Sequence, residues 1–209
     1  MEKIIRLTKD QVKPAAKTAT RAFLDYPLWD SLFSDASVKY KFHLNTFEFT
    51  IKHSILSGEA YATPNLEGVA LWAKPGKIYM NLVDMIRAGG LKVSYKIGST
   101  VLFDIGLKKI ISYMKSMEYI EKAHKRLVPF QHWYLAVLAV DPDHQGRGHA
   151  GDLLRPMLAR IDREGLPLFL ETQKERNVAL YERFGFEVLE KAPIPGLDIT
   201  TWAMLRKIK

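Results

Sequence analysis

The stretch from Trp133 to Gly151, Trp-Tyr-Leu-Ala-Val-Leu-Ala-Val-Asp-Pro-Asp-His-Gln-Gly-Arg-Gly-His-Ala-Gly, limits what this chain can fold into more than any other part of it. Its first eight residues are apolar, β-branched or aromatic, which suits a strand covered on both faces. Asp141-Pro142 ends that strand, and three glycines, Gly146, Gly148 and Gly151, lead into an amphipathic segment with helical spacing. A glycine-rich turn at a helix start leaves backbone N–H groups unobstructed at the positive end of the helix dipole, a ready site for phosphate. The local prediction is therefore strand, phosphate-binding turn, helix.

Two classes of cofactor fit such a turn. Gly146-Arg147-Gly148-His149-Ala150-Gly151 matches the dinucleotide fingerprint G-x-G-x-x-G, and Glu171 stands where a ribose-binding acid is expected. Three features weigh against an NAD(P)-binding oxidoreductase. Asp141–Gln145 separate the glycines from the strand, the motif begins two-thirds of the way along the chain, and too little sequence follows Glu171 for further βαβ units.

The same residues read as Gln145-x-x-Gly148-x-Ala150. A second block, Leu168-Phe-Leu-Glu171-Thr followed by Asn177-Val-Ala-Leu-Tyr181-Glu-Arg-Phe-Gly185-Phe186, comes at the right distance. Together they resemble the GNAT superfamily of acyl-CoA-dependent N-acyltransferases. With His132-Trp-Tyr-Leu ahead and Trp202-Ala-Met-Leu-Arg at the end, the pattern is similar to the puromycin N-acetyltransferase-like branch. The close resemblance covers residues 130–209. It implies an α/β (α+β) fold with a mixed, mostly antiparallel central sheet flanked by helices, acetyl-CoA as donor, and an amine as acceptor.

Composition narrows the remaining classes. The 209 residues suffice for one domain with a full core, 1–209, and 47% hydrophobic with 26% charged residues is the balance of a globular chain. The absence of Cys excludes disulfides, thiolate zinc sites and a cysteine nucleophile. No His/Asp/Glu cluster has metal-ligand spacing, so no metal is expected. The N-terminus lacks a signal-peptide pattern and no apolar run reaches membrane-spanning length, so a cytoplasmic protein with no membrane contact is expected, as monomer or homodimer. The net charge of +8 is concentrated between Lys74 and Arg126, where eleven cations face four acids. Cations spread along the segment, with no run longer than two and no aromatic RNA-binding motif, read as the solvated face of a basic helical insert at about 77–128, rather than as a nucleic-acid site.

Periodicity predicts an edge strand at 3–8, a helix over 11–24 capped by Asp10, and a helix over 37–57 ended by Gly58. A strand pair follows at 59–63 and 66–74, then helical segments from 79 to 127 broken at Gly89-Gly90, Gly98 and Gly106. Beyond the core strand come helix 149–164, strand 167–172, helix 176–184 and strands 186–191 and 199–206. Pro156 falls inside the helix and is expected to cost a hydrogen bond and bend it.

The resemblance assigns the site. Leu138, Ala139 and Val140 would offer backbone to the pantetheine arm and polarise the thioester carbonyl. Gln145, Gly146, Arg147, Gly148, His149, Ala150 and Gly151 would hold the pyrophosphate, and Asn177 would contact the cofactor arm or cap its helix. Tyr181 is the candidate acid for the leaving thiolate, Glu171 the candidate base for the amine, and His132 and His144 are weaker candidates. Phe23, Asp25, Tyr26, Trp29, Phe33 and Trp72 are the candidate acceptor pocket, since aromatics with a carboxylate suit a cationic, partly apolar amine. Two other readings stay open: an inactive fold relative that binds CoA or nucleic acid, and the oxidoreductase above.

Overall fold

The computed structural model describes residues 4–208 except 31, 34, 80 and 101–104, and not the side chains of 92, 96, 97, 99, 100 and 107. In chain order the strands are β1 (Ile5–Arg6), β2 (Glu59–Ala62), β3 (Gly68–Ala73), β4 (Trp133–Val140), β5 (Leu168–Thr172), β6 (Glu187–Pro193) and β7 (Thr200–Arg206). The helices are α1 (Val12–Phe23), α2 (Pro27–Asp30), α3 (Ala36–Ser57), α4 (Leu82–Arg87), α5 (Gly90–Thr100), α6 (Leu107–Leu127), α7 (His149–Glu164) and α8 (Glu175–Glu182). The seven strands form one sheet in the order β1-β2-β3-β4-β5-β7-β6. Every neighbouring pair is antiparallel except β4 and β5. The expected mixed, mostly antiparallel sheet is thus observed, and it removes the doubly wound dinucleotide alternative, whose sheet is parallel.

The sheet is buried by helices on both sides. On one face α7 lays down Leu153, Leu154, Met157, Leu158 and Ile161, the stripe anticipated from its spacing, against Trp133, Leu135, Leu168, Leu170, Trp202 and Met204. The helix runs unbroken through Pro156, which lies on its exposed side. On the other face α1 and α3 cover β1 to β4 through Ala15, Ala16, Ala19, Phe47 and Ile51. Further along that face lie Phe169, Ala203 and Leu205, packed with Val128 at the end of α6.

Several expectations are corrected. Asp10 does not cap α1 but accepts the Thr8 hydroxyl in a 3-10 turn, Lys9–Gln11, that leads into it. Gly98 lies within α5 rather than breaking it, and the short helix α2 went unpredicted because four residues carry no readable period. The start of the first strand at residue 3 and Asp104 of the basic insert lie outside the described residues. Within that insert, Lys122 and Lys125 pair with Glu118 and Glu121 one helical turn away.

Two backbone features of β4 set the geometry of the site. Opposite β3 the register shifts, Leu71 facing Val137 but Trp72 facing Leu135, which leaves Ala136 as an extra residue in β4. This bulge swaps the faces of the strand: Trp133 and Leu135 point toward α7, whereas Val137 and Ala139 point toward α1 and α3. In addition, β4 and β5 pair only at Trp133–Leu168 and Tyr134–Phe169. Beyond those pairs no register joins the two strands, so the sheet opens toward their C-terminal ends.

Candidate active site

That opening is the floor of a cleft of about 880 Å³, well within the usual range for a small-molecule site. One end is the glycine turn. Gly146 and Gly148 have φ of +78° and +89°, a backbone that side-chain-bearing residues rarely adopt, and a Cβ at either would meet nothing within 4 Å. Gly148 is the N-cap of α7 and has no side chain to satisfy the first amides, and the first bond back to it comes from Asp152. The N-terminal N–H groups of a sixteen-residue helix therefore face open space.

The turn is braced from behind. Arg21 of α1 clamps the segment after β4 by donating to both Asp141, at 2.7 Å, and Asp143, at 2.7 Å. The Asp141 amide donates to Glu67 O, and Gln145 Nε2 to Val140 O at 3.1 Å. Gln145 thus holds the turn onto the strand end while lining the cleft.

Of the residues expected to hold a cofactor, Leu138, Val140, Gln145, Gly146, Gly148, His149, Ala150, Gly151, Asn177 and Tyr181 all line the cleft. Ala139 and Arg147 do not. Ala139 turns its methyl into the α1 and α3 core because of the bulge, and Arg147 is exposed to solvent. Asn177 does not cap α8, whose N-cap is Lys174; its amide donates instead to Thr172 Oγ1 at 3.1 Å. Four cations unremarked in the sequence, Arg155, Lys174, Arg176 and Arg183, also line the cleft. Arg155 was in principle legible, one helical turn beyond Gly151 on α7.

The opposite end is apolar. Phe23, Tyr26 and Trp29 line it as expected, joined by Leu28, Phe47, Met117 and Ile120. Three other candidates lie elsewhere. Trp72 is 1% exposed in the core on the α7 side, since alternation along β3 sends it away from the cleft. Phe33 packs on Phe42 and His43. Asp25 is largely exposed and paired with Lys174 at 2.8 Å. Of the described cleft-lining residues, Glu171 is the sole carboxylate.

Glu171 sits near the end of β5, its side chain only 7% exposed, and neither oxygen has a hydrogen-bond partner. Nδ1 of His124 in α6 lies 3.3 Å from Oε1. Burial pushes the carboxyl up to about 8, partly offset by the neighbouring Tyr134 hydroxyl. Tyr181, buried in α8 against Phe186, has its phenol raised by the same desolvation, so it keeps its proton at neutral pH. Tyr26 accepts the Gln173 amide at 2.9 Å and lies 3.2 Å from Thr172 Oγ1, which ties the α1–α2 corner to the end of β5. Of the weaker candidates, His144 lines the cleft beside the turn, and His132 is buried against His124.

Comparison with known proteins agrees with this geometry. Residues 102–188 match the model of the acetyltransferase (GNAT) domain. A relative from Schizosaccharomyces pombe, described as an uncharacterised N-acetyltransferase, is 28% identical over 184 residues, 87% of this chain and 72% of that protein. A solved structure from Corynebacterium glutamicum, described as histone acetyltransferase HPA2 and related acetyltransferase, superposes with a TM-score of 0.66 at 19% identity, covering 99% of this chain and 96% of that one. Arylalkylamine N-acetyltransferase 2 from Aedes aegypti gives a TM-score of 0.62 at 13% identity, covering 99% and 98%. The domain match and the N-acetyltransferase relative support an acyltransferase.

Proposed function

We propose that this acyltransferase is of the GNAT type and moves an acetyl group from acetyl-CoA to the primary amine of a small, largely apolar molecule by direct attack. The observation that carries the reading is the continuity of the cleft: one cavity is lined by the glycine turn, the buried Glu171 and the aromatic pocket. Acetyl-CoA, when bound, supplies the acetyl thioester. The residues present fit it, since unobstructed first-turn amides and the flanking Arg155, Arg176 and Arg183 suit phosphates. The backbone of Leu138–Val140, no longer paired with β5, is free to hold an extended arm and polarise a carbonyl.

The protein's own groups divide the proton work. Glu171 accepts a proton from the substrate ammonium, and its raised affinity for protons matches that task near neutral pH. Tyr181 keeps its phenolic proton and donates it to the departing sulfur. Asn177, fixed on Thr172, lines the donor side. With Glu171 the sole carboxyl group among the described lining residues, the pocket offers one proton acceptor and several apolar walls, which suits a monoamine better than a polyamine. An arylalkylamine enzyme is among the proteins sharing the fold. Placement in the puromycin N-acetyltransferase-like branch rests on residue pattern alone.

An amine panel tests the substrate class. With acetyl-CoA held constant, CoA thiol release is compared for phenethylamine, spermidine and a peptide with a free N-terminus. The expected order places the apolar monoamine first in kcat/KM. Preference for the peptide or the polyamine would overturn the small apolar amine, while leaving the transferase itself standing.

A further inference from the structure

Behind Glu171 lies a chain of buried polar groups that the transfer chemistry above does not use. His132 Nδ1 is 2.7 Å from the Phe130 carbonyl oxygen, His132 Nε2 is 2.8 Å from His124 Nε2, and His124 Nδ1 is 3.3 Å from Glu171 Oε1. His124 and His132 are 4% and 5% exposed. With both rings neutral, the form their burial favours, their proton assignments follow from connectivity. A carbonyl can only accept, so His132 carries its proton on Nδ1. Neutral His132 then presents a bare Nε2, which obliges His124 to donate from its own Nε2. Neutral His124 in turn presents a bare Nδ1 to Glu171, and that gap is satisfied by the proton of a protonated carboxyl.

We propose that Glu171, His124 and His132 form a proton relay that carries the proton released by the substrate amine from the cleft to His132, along the α6-covered face of β4 and β5. The proposal rests on the transferase reading above. In one concerted shift the ammonium N–H bond breaks and an O–H bond forms at Glu171 Oε2. The proton on Oε1 passes to His124 Nδ1, and that on His124 Nε2 passes to His132 Nε2. The three side chains together gain one proton, the amine loses one, and the positive charge comes to rest on His132, where the Phe130 carbonyl stabilises it. The 3.3 Å gap is longer than a formed bond, as catalytic contacts often are before ligand is present.

The surroundings keep the relay in register. His124 packs on Phe169 with ring centroids 4.3 Å apart and on Tyr134 at 5.0 Å. The ionisable groups facing it are Tyr134 from β4, Tyr79 from the segment before α4, and Lys125 from its own helix, which lies over the Tyr79 ring. Tyr26 and Tyr79 complete the set around Glu171 and Tyr134. Burial favours neutral imidazoles and a protonated carboxyl, in line with the assignment from connectivity. His124 is thus a positioning residue acting through Glu171, contributed by a helix whose sequence suggested only a solvated basic face.

Two measurements test it. Long-range ¹H–¹⁵N spectra of the intact protein at neutral pH report histidine tautomers without any turnover. Nδ1–H on His132 with Nε2–H on His124 is expected, and Nε2–H on His132 would overturn the relay. His124→Phe keeps ring packing on Phe169 but breaks the path. For it we expect kcat to fall ~10-fold or more, an unchanged KM for acetyl-CoA, and a displaced acidic limb of the pH–rate profile. Full activity with a superimposable profile would overturn the relay while leaving transfer intact. Wild-type protein that acetylates no amine would instead defeat the transferase reading and leave the tautomers to be judged on their own.

Discussion

A carboxyl group buried like that of Glu171 opposes folding whenever it ionises. Its affinity for protons rises from an ordinary value of 4.5 in the open chain to about 8 in the fold. A raised folded value means the native state binds the extra proton, so the contribution of this group to stability is fully present below pH 4.5 and is lost as pH climbs toward 8. Glu171→Gln removes the ionisation. The variant should match the wild type in acid and become more stable between about pH 4.5 and 8, by up to a few kcal/mol, in paired thermal melts. Parallel melting curves across that range would mean the carboxyl is solvated. Tyr181 lends itself to a kinetic test: Tyr181→Phe should lower kcat by roughly 10²-fold or more with acetyl-CoA affinity preserved. Glu171 and Tyr181 could be picked from the sequence because they lie inside matched blocks. His124 could not, because its contact with Glu171 spans distant segments and no local periodicity announces it.

Among the elements, β4 and the turn after it do most to make the site. The strand, the turn and α7 were readable because an unbroken run of apolar and aromatic residues, Asp-Pro and three glycines each leave a local signature. The bulge at Ala136 was not, because an extra residue in one strand shows only when its partner is known. That single residue is why Ala139 faces the core and Leu138 the cleft side. The insertion of β7 between β5 and β6 was equally silent, since strand order is set by tertiary packing rather than by local pattern. Two glycines separate fold from function at this scale. A Cβ on Gly58 would stand 2.3 Å from the Trp72 carbonyl oxygen, a backbone atom that cannot swing aside. A Cβ on Gly148 would meet nothing, so its cost is conformational, about 1–2 kcal/mol. In thermal melts Gly58→Ala should be the more destabilised variant yet bind acetyl-CoA normally once folded. Gly148→Ala should melt closer to wild type and bind acetyl-CoA more weakly.

Across the whole molecule, the cleft joins parts of the chain that differ in how well they could be read. Its donor side comes from β4, α7, β5 and α8, where motif spacing constrains the backbone. Its acceptor side comes from α1, α2, α3 and α6, where only general aromatic content was visible, and there Trp72, Phe33 and Asp25 fell outside the pocket. The +8 charge is not one undivided basic face either: insert lysines pair along α6, while Arg155, Arg176 and Arg183 gather at the cleft. No described helix is long and apolar enough to cross a membrane.

Every step of the proposed transfer depends first on the donor, so the most direct measurement is the thermal unfolding midpoint of the wild-type protein with acetyl-CoA and with CoA. At about 100 times the dissociation constant a ligand adds about 2.7 kcal/mol, enough to raise the midpoint by several degrees. That rise is expected for both compounds. A midpoint unmoved by either would contradict acyl-CoA binding at the glycine turn, and the transferase reading with it.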